Sequence, residues 1–385
     1  MGMDNKYFPL TEEQELFRQT VQKIVEDKIA PLAPEIDESD EFCWKAIDVL
    51  REHELLGLGC PEEYGGGGAD LLTCCLAVEE IAKSSAPLAP RISASGLIGE
   101  ALHQGGTEEQ KEKYLYKISQ GEMIPAFALT EPESGSDAFS LRTSAVEDEE
   151  GWVIDGQKCF TTNADIADFT LVMARTSGEK GPMGISGFIV DKGTPGFAIG
   201  RIERKMAGHG IHTCEVNLDE CRVPHGALIG EEGMAFANLE GLNKSRTLVG
   251  AVGVGLAQGA VDVACRYAKE RQQFGRPIIK FQAIQLMLAD MATTTEAARQ
   301  LVYKACILSD LGHADSMMLS SMSKYYATDV AMQVTTDAVQ VLGGYGYMKD
   351  HPVERMMREA KLLQIYEGTN QIQRFLVARG LQSKY

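Results

Sequence analysis

The stretch GWVIDGQKCFTT, residues 151–162, decides the fold. It is rich in β-branched and aromatic residues and is punctuated by Gly and Asp, the composition of a strand. Four similar runs follow: FTLVMAR (169–175), ISGFIVD (185–191), GFAIGRIE (196–203) and CEVNLDECRVP (214–224). Short strands in this succession predict an antiparallel β unit spanning 124–233.

The flanks read differently. LTEEQELFRQTVQKIV (10–25) opens with Thr11 and Gln14 as a capping box, and Phe17, Val21, Ile24 and Val25 recur at helical spacing. Pro31 and Pro34 are expected to stop this helix, and Gly57 and Gly59 to stop the next, FCWKAIDVLREHELLGLG (42–59). Residues 69–85 and 94–122 supply further helices. The glycine run 65–68 follows no strand and has no Lys-Ser/Thr partner, so it reads as a turn rather than a phosphate loop. After Gly233 long amphipathic patterns return at 246–274, 283–311, 316–342 and 352–366 and suggest a bundle. The Met-rich stretch 317–322 reads as core filling. The fold class is therefore α+β: an N-terminal α-helical domain (1–123), a middle antiparallel β domain (124–233) and a C-terminal helical bundle (234–385).

A net charge of −18 argues against nucleic acid or an anionic membrane as partner. No apolar run is read as a membrane span and no signal peptide at the start. Nine scattered cysteines without a CxxC pair read as reduced, mostly buried thiols of a cytoplasmic protein. His209 and His212 in GHGIH lack a third ligand nearby, so a loop is expected there and no metal site.

Five segments carry chemistry. FALTEPESGSD (127–137) offers hydroxyls around Gly135, and CFTTN (159–163) ends a strand with an aromatic and two hydroxyls. RQQFGRPIIKFQ (271–282) sets two arginines around a helix break at 275–277, suited to solvent or to phosphate. QVLGGYGYM (340–348) permits close backbone contact with a large ligand. IYEGTNQIQ (365–373) puts one carboxylate, Glu367, beside a glycine.

In this order, these segments resemble the acyl-CoA dehydrogenase family of flavoproteins, from LTEEQELFR to YEGTNQIQR. The resemblance implies an α domain, a β domain and a four-helix bundle with FAD between the last two. It also implies a homotetramer in which the Arg271 and Gly343 regions reach a neighbouring protomer's cofactor, with an electron-transferring flavoprotein as acceptor. By the same resemblance Phe127, Leu129, Thr130 and Ser136 border the flavin, Ser136 also touching CoA, and Phe160 and Thr162 line the isoalloxazine. Many relatives carry Trp at the position of Phe160. Arg271, Phe274, Gln282, Gln340 and Gly344 match the dinucleotide contacts, completed by Thr369 and Gln371. Asn243 and Arg246 match CoA contacts, although relatives place an acid where Asn243 stands.

Removing the α proton of an acyl thioester needs a placed, poorly solvated carboxylate. Glu367 matches the family's base, with Tyr366 and Gly368 lining the acyl-CoA site. Some branches place the base at the position of Ser245, where serine cannot serve. Arg91, in PLAPRISASG, falls near the far end of the acyl pocket; it either grips a second substrate carboxylate or faces solvent or a Glu. Members acting on dicarboxylyl substrates carry their arginine nearer Leu88, and the small residues 93–96 suit a wide or ring-shaped acyl group equally. The activity expected is oxidation of an acyl-CoA to a trans-2-enoyl-CoA. The alternatives are dicarboxylyl, cyclic or aromatic substrates, the enoyl-CoA reductase direction, decarboxylating oxidation, or a non-catalytic flavoprotein partner.

Overall fold

A computed structural model describes residues 10–179, 181–236 and 241–384, without the side chains of 93–95. Seven helices come first: α1 (Glu12–Ile24), α2 (Ala33–Ser39), α3 (Trp44–Glu52), α4 (Leu71–Ala82), α5 (Pro90–Gly105), α6 (Glu108–Gln110) and α7 (Tyr116–Ser119). The capping box at α1 forms: Thr11 Oγ1 accepts from Gln14 N, and the Gln14 side chain accepts from Thr11 N. The expected stop at Pro31 and Pro34 does not occur. A π turn over Val25–Ile29 and a 3-10 turn over Ala30–Leu32 lead into α2. Each proline falls within the first two positions of its segment, where its missing N–H leaves no intrahelical bond unmade. Nor do Gly57 and Gly59 end α3, which stops at Glu52 with Glu54 left-handed (φ 57°). Gly57 answers to packing instead, since a Cβ there would lie 1.9 Å from Ser119 O.

The β unit contains β1 (Pro125–Ala128), β2 (Ser144–Asp148), β3 (Gly151–Thr162), β4 (Phe169–Arg175), β5 (Ile185–Asp191), β6 (Phe197–Ile202), β7 (Thr213–Val223) and β8 (Leu228–Ile229). Its order is β6-β7-β3-β2-β4-β5-β8, with β1 added on β4. The long ladders are antiparallel as expected, but β1 runs parallel to β4 and β2 touches β4 in parallel at Ser144 and Arg175. Trp152, Ile154, Phe188 and Val216 pack within the sheet, while Ile98, Leu102, Leu171 and Ile189 seal its junction with the first helices.

The bundle is built from α8 (Gly241–Glu270), the two-strand hairpin β9 (Gln272–Gln273) and β10 (Arg276–Pro277), then α9 (Gln282–Asp310), α10 (Ser316–Leu342), α11 (Val353–Leu363) and α12 (Asn370–Lys384). The expected helix break at 275–277 is thus a β-hairpin, turned by left-handed Phe274 (φ 52°) and Gly275 (φ 79°). By length and composition α8 is apolar enough to cross a membrane, but 78% of its most apolar window is buried inside the protein. A Cβ at Gly255 or Gly259 would lie 2.2 Å from Glu79 O or 2.3 Å from Lys83 O. Glycine there loses about 1 kcal/mol of helix propensity relative to alanine and lets α4 press directly onto α8. Arg299 and Tyr303 of α9 complete the junction on buried Glu79 (2.9 and 3.0 Å). One apolar core therefore unites the first and last thirds of the chain. The stretch 317–322 is core only in part: Leu319, Ser320 and Ser321 are buried, whereas Met317 is exposed and Met318 packs on Gly380. All nine cysteines are free thiols.

Candidate active site

Two buried charges shape the first part of the site. Lys158, on β3, is wholly buried and donates from Nζ to Glu131 Oε1 (2.7 Å) and Leu129 O (3.2 Å). Glu131 also accepts from the backbone N–H groups of Arg142 (2.6 Å) and Thr143 (2.9 Å). Burial lowers the lysine pKa to about 8 against the pull of Glu131; burial also pushes Glu131 up, but Lys158 and these hydrogen bonds hold it below its usual value. The loop after β1 is pinned at its root. Two β3 residues, Cys159 and Phe160, then face one β7 residue between the pairs Lys158–Val216 and Thr161–Cys214. This bulge turns Phe160 outward, left-handed (φ 57°) and 64% exposed, while Cys159 N donates to Thr130 O (2.8 Å). Phe127, Leu129, Thr130, Phe160 and Thr162 are gathered at this edge. Ser136 is exposed farther along the loop.

A second group lies on the bundle. Arg271, Gly344, Tyr267 and Tyr345 line a cleft of ≈ 450 Å³, with the Arg271 guanidinium 5.4 Å from the Tyr345 ring. Phe274, Gln282 and Gln340 are exposed outside its lining, Phe274 at the hairpin tip with 94% of its surface free. A Cβ at Gly275, Gly343 or Gly344 would meet nothing within 4 Å, so protein packing does not demand these glycines. An arginine fork, an aromatic wall and open backbone suit a nucleotide phosphate and ring. Among the described residues no hydrogen bond or ion pair joins this group to the Phe160 edge.

The third group centres on Glu367. Between α11 and α12 the chain takes two consecutive left-handed residues, Glu367 (φ 56°) and Gly368 (φ 86°). The glutamate conformation costs on the order of 1 kcal/mol, and the surroundings must impose it. Gln373 Nε2 donates to Glu367 O (3.1 Å) and Gly368 O (3.2 Å), and Lys324 Nζ of α10 donates to Gly368 O (2.9 Å). Glu367 as a residue is half-buried. Burial raises the Glu367 pKa; Arg246, a hydrogen bond from Ser245 and Lys324 oppose the rise. Burial likewise lifts Tyr366. Asn243 Oδ1 accepts from an Arg246 terminal nitrogen (3.0 Å), so the two expected CoA contacts hold each other beside Glu367. The Thr369 hydroxyl accepts from Ile372 N in the first turn of α12, and Gln371 is exposed.

Arg91, in the first turn of α5, does not face solvent: it is 5% exposed, its guanidinium is 6.0 Å from the Phe42 ring, and burial lowers its pKa to about 10. The side chains of Ser93, Ala94 and Ser95 lie outside the described residues. His209 and His212 bind Asp37 O and Asp165, both at 2.6 Å, and no group of three or more ligating side chains is placed for a metal among the described residues. Sequence reading missed Lys158, Glu131 and Lys324, although Lys324 recurs with Ser320, Ala327, Thr328 and Ala331 on the buried face of α10, a signal the heptad spacing contains.

The chain is similar to known proteins over nearly its whole length. Family models described as the N-terminal, middle and C-terminal domains of acyl-CoA dehydrogenase match residues 11–122, 126–221 and 231–382. An acyl-CoA dehydrogenase of Bacillus subtilis is 44% identical over 97% of this chain and 98% of its own. The structure of butyryl-CoA dehydrogenase from Megasphaera elsdenii is 41% identical with a TM-score of 0.94, covering 97% of this chain and 99% of that one. A chain reported with the electron transferring flavoprotein of Acidaminococcus fermentans is 46% identical with the same TM-score and coverage. The chain belongs to the acyl-CoA dehydrogenase family and is an oxidoreductase that dehydrogenates acyl-CoA thioesters with a flavin.

Proposed function

We propose that Glu367 removes the α proton of a saturated acyl-CoA, giving the trans-2-enoyl-CoA, and that the flavin is FAD. The observation that carries this reading is the Glu367 turn: a carboxylate whose pKa is raised by burial yet opposed by Arg246 and Lys324, beside a residue without a side chain. Such a group starts as the carboxylate, accepts the proton on an Oε, and finds little water to compete for it. When bound, FAD supplies a hydride acceptor at N5. Phe127, Leu129, Thr130, Ser136, Phe160 and Thr162 would hold its ring end. Arg271, Phe274, Gln282, Gln340 and Gly344, with Thr369 and Gln371, would hold the dinucleotide. The cleft and the exposed hairpin are separate from the Phe160 edge, which favours a homotetramer in which they serve a neighbour's cofactor. Ser136, Asn243, Arg246, Tyr366 and Gly368 would meet acyl-CoA. An electron-transferring flavoprotein is the proposed acceptor, supported by the 46% identical Acidaminococcus chain. Nine free thiols suit a reducing compartment, so the cytoplasm is the proposed location.

Glu367→Gln tests the reading. The variant keeps the shape and should hold flavin and acyl-CoA, while anaerobic flavin reduction falls at least by the 10²–10⁴-fold typical of a general base. Reduction at the parent rate would move the base elsewhere.

A further inference from the structure

Lys324 lies at the middle of the bundle with none of its surface exposed. Among the described residues no carboxylate reaches ion-pair distance of Nζ; its hydrogen bonds go to Gly368 O and Asn370 Oδ1, both at 2.9 Å. Taking an ammonium out of water costs several kcal/mol even after relaxation, so a lysine satisfied by two neutral oxygens needs a reason to be there. Both oxygens belong to the turn that carries Glu367. The Gly368 carbonyl closes the left-handed pair, and Asn370 opens α12. Asn370 also donates from Nδ2 to Tyr325 O (3.3 Å), Thr328 Oγ1 (2.9 Å) and Asp329 Oδ1 (2.8 Å), tying the turn to α10.

We infer that Lys324 is a positioning residue for the base: it locks the Glu367–Gly368 turn and sets a positive charge within electrostatic reach of the carboxylate, so that Glu367 is ionised and aimed before substrate arrives. The inference rests on Glu367 being the base. The charged and titratable groups facing Glu367 are Arg246 of α8, with the Ser245 hydroxyl, Lys324 of α10, and Tyr366 beside it; those facing Lys324 are Glu367, Asp329 and Arg246, and burial lowers the lysine's pKa to about 8, so it carries its charge below that pH. Arg246 approaches from α8 and is also bound to Asn243. Among the described residues Lys324 alone combines a hydrogen bond to the turn's backbone with a charge felt by its carboxylate. A lysine that merely filled space would serve equally well without either.

The test uses flavin-loaded Lys324→Met and Lys324→Gln, with Glu367→Gln as reference, and butyryl-CoA as probe in anaerobic stopped flow across pH. In the parent protein the reduction rate rises with pH as Glu367 ionises. Lys324→Met is expected to move that rise upward by about one pH unit, the scale of a lost neighbouring charge. Its plateau should fall roughly 10- to 100-fold through misplacement of the turn. Lys324→Gln keeps two N–H donors without the charge, so it should recover part of the plateau and keep the displaced rise. A rise that stays in place overturns the inference whether or not the rate falls. Loss of flavin and of thermal stability in both variants overturns it in favour of a purely structural lysine. If Glu367→Gln itself reduces normally, the base assignment has failed; if Glu367→Gln is dead and both lysine variants behave as the parent, only the inference has.

Discussion

Replacing Lys158 by methionine isolates the electrostatics under the loop that follows β1. The substitution keeps most of the volume and removes the ammonium from Glu131, whose carboxylate stays buried with two backbone N–H donors. Breaking a buried pair from one side costs about 3–5 kcal/mol. The two remaining donors, and the option of taking up a proton, place this case near the lower end, at about 3 kcal/mol. For a chain of this length unfolding as one unit, that is about 4 °C in Tm. The pH dependence has a definite sign. In the parent, Glu131 is held below its usual pKa, so its contribution is present above the carboxylate range and lost as pH falls. In the variant, the unpaired carboxyl is raised, so the deficit is largest near neutrality and shrinks in acid. Adding Glu131→Gln should recover much of the loss, because the double variant buries no charge. Thermal unfolding at neutral and acid pH, with flavin retention measured alongside, checks this. A single variant as stable as the parent, or equally weakened at both pH values, refutes the reasoning.

Two further outcomes are expected. Glu359 of α11 is buried with Oε2 lacking a hydrogen-bond partner, and burial raises its pKa to about 7 although Arg355 opposes this (3.5 Å). A raised carboxyl gives stability that is whole below its unfolded pKa and lost as pH rises through about 7, so Glu359→Gln should raise Tm above neutrality and change it little in acid; the reverse order would sink the assignment. Arg91→Ala should raise the KM for a dicarboxylyl-CoA and spare a neutral analogue if the guanidinium meets a substrate carboxylate. An equal response to both substrates makes Arg91 structural.

What the sequence disclosed follows from range. The strands 169–175 and 185–191 have the bounds their local composition predicts, and Thr11 with Gln14 form a capping box within four residues. Pro31 does not break the helical path because a new helical segment starts at Ala30, which puts the proline at its second position. The hairpin at 272–277 has strands of two residues each, too short for any period to register. The bulge that turns Phe160 outward exists only as a count against β7, more than fifty residues on. Lys324 shows the same limit at the site: its face on α10 is written locally, but its partners come from a turn some forty residues later.

The seam between α4 and α8 has a consequence for synthesis. Glu79 and Lys83 leave the ribosome long before Gly255 and Gly259, against which their carbonyls pack. At ordinary elongation rates that interval is roughly 10–35 s. Through it the apolar faces of the first helices have no permanent cover, whereas the β unit, whose long ladders join residues within about 75 positions of one another, can complete its pairing as it emerges. The nascent chain should therefore carry a finished sheet between two unfinished halves of a single core, and chaperone contact before residue 260 should concentrate on Leu71–Ala82.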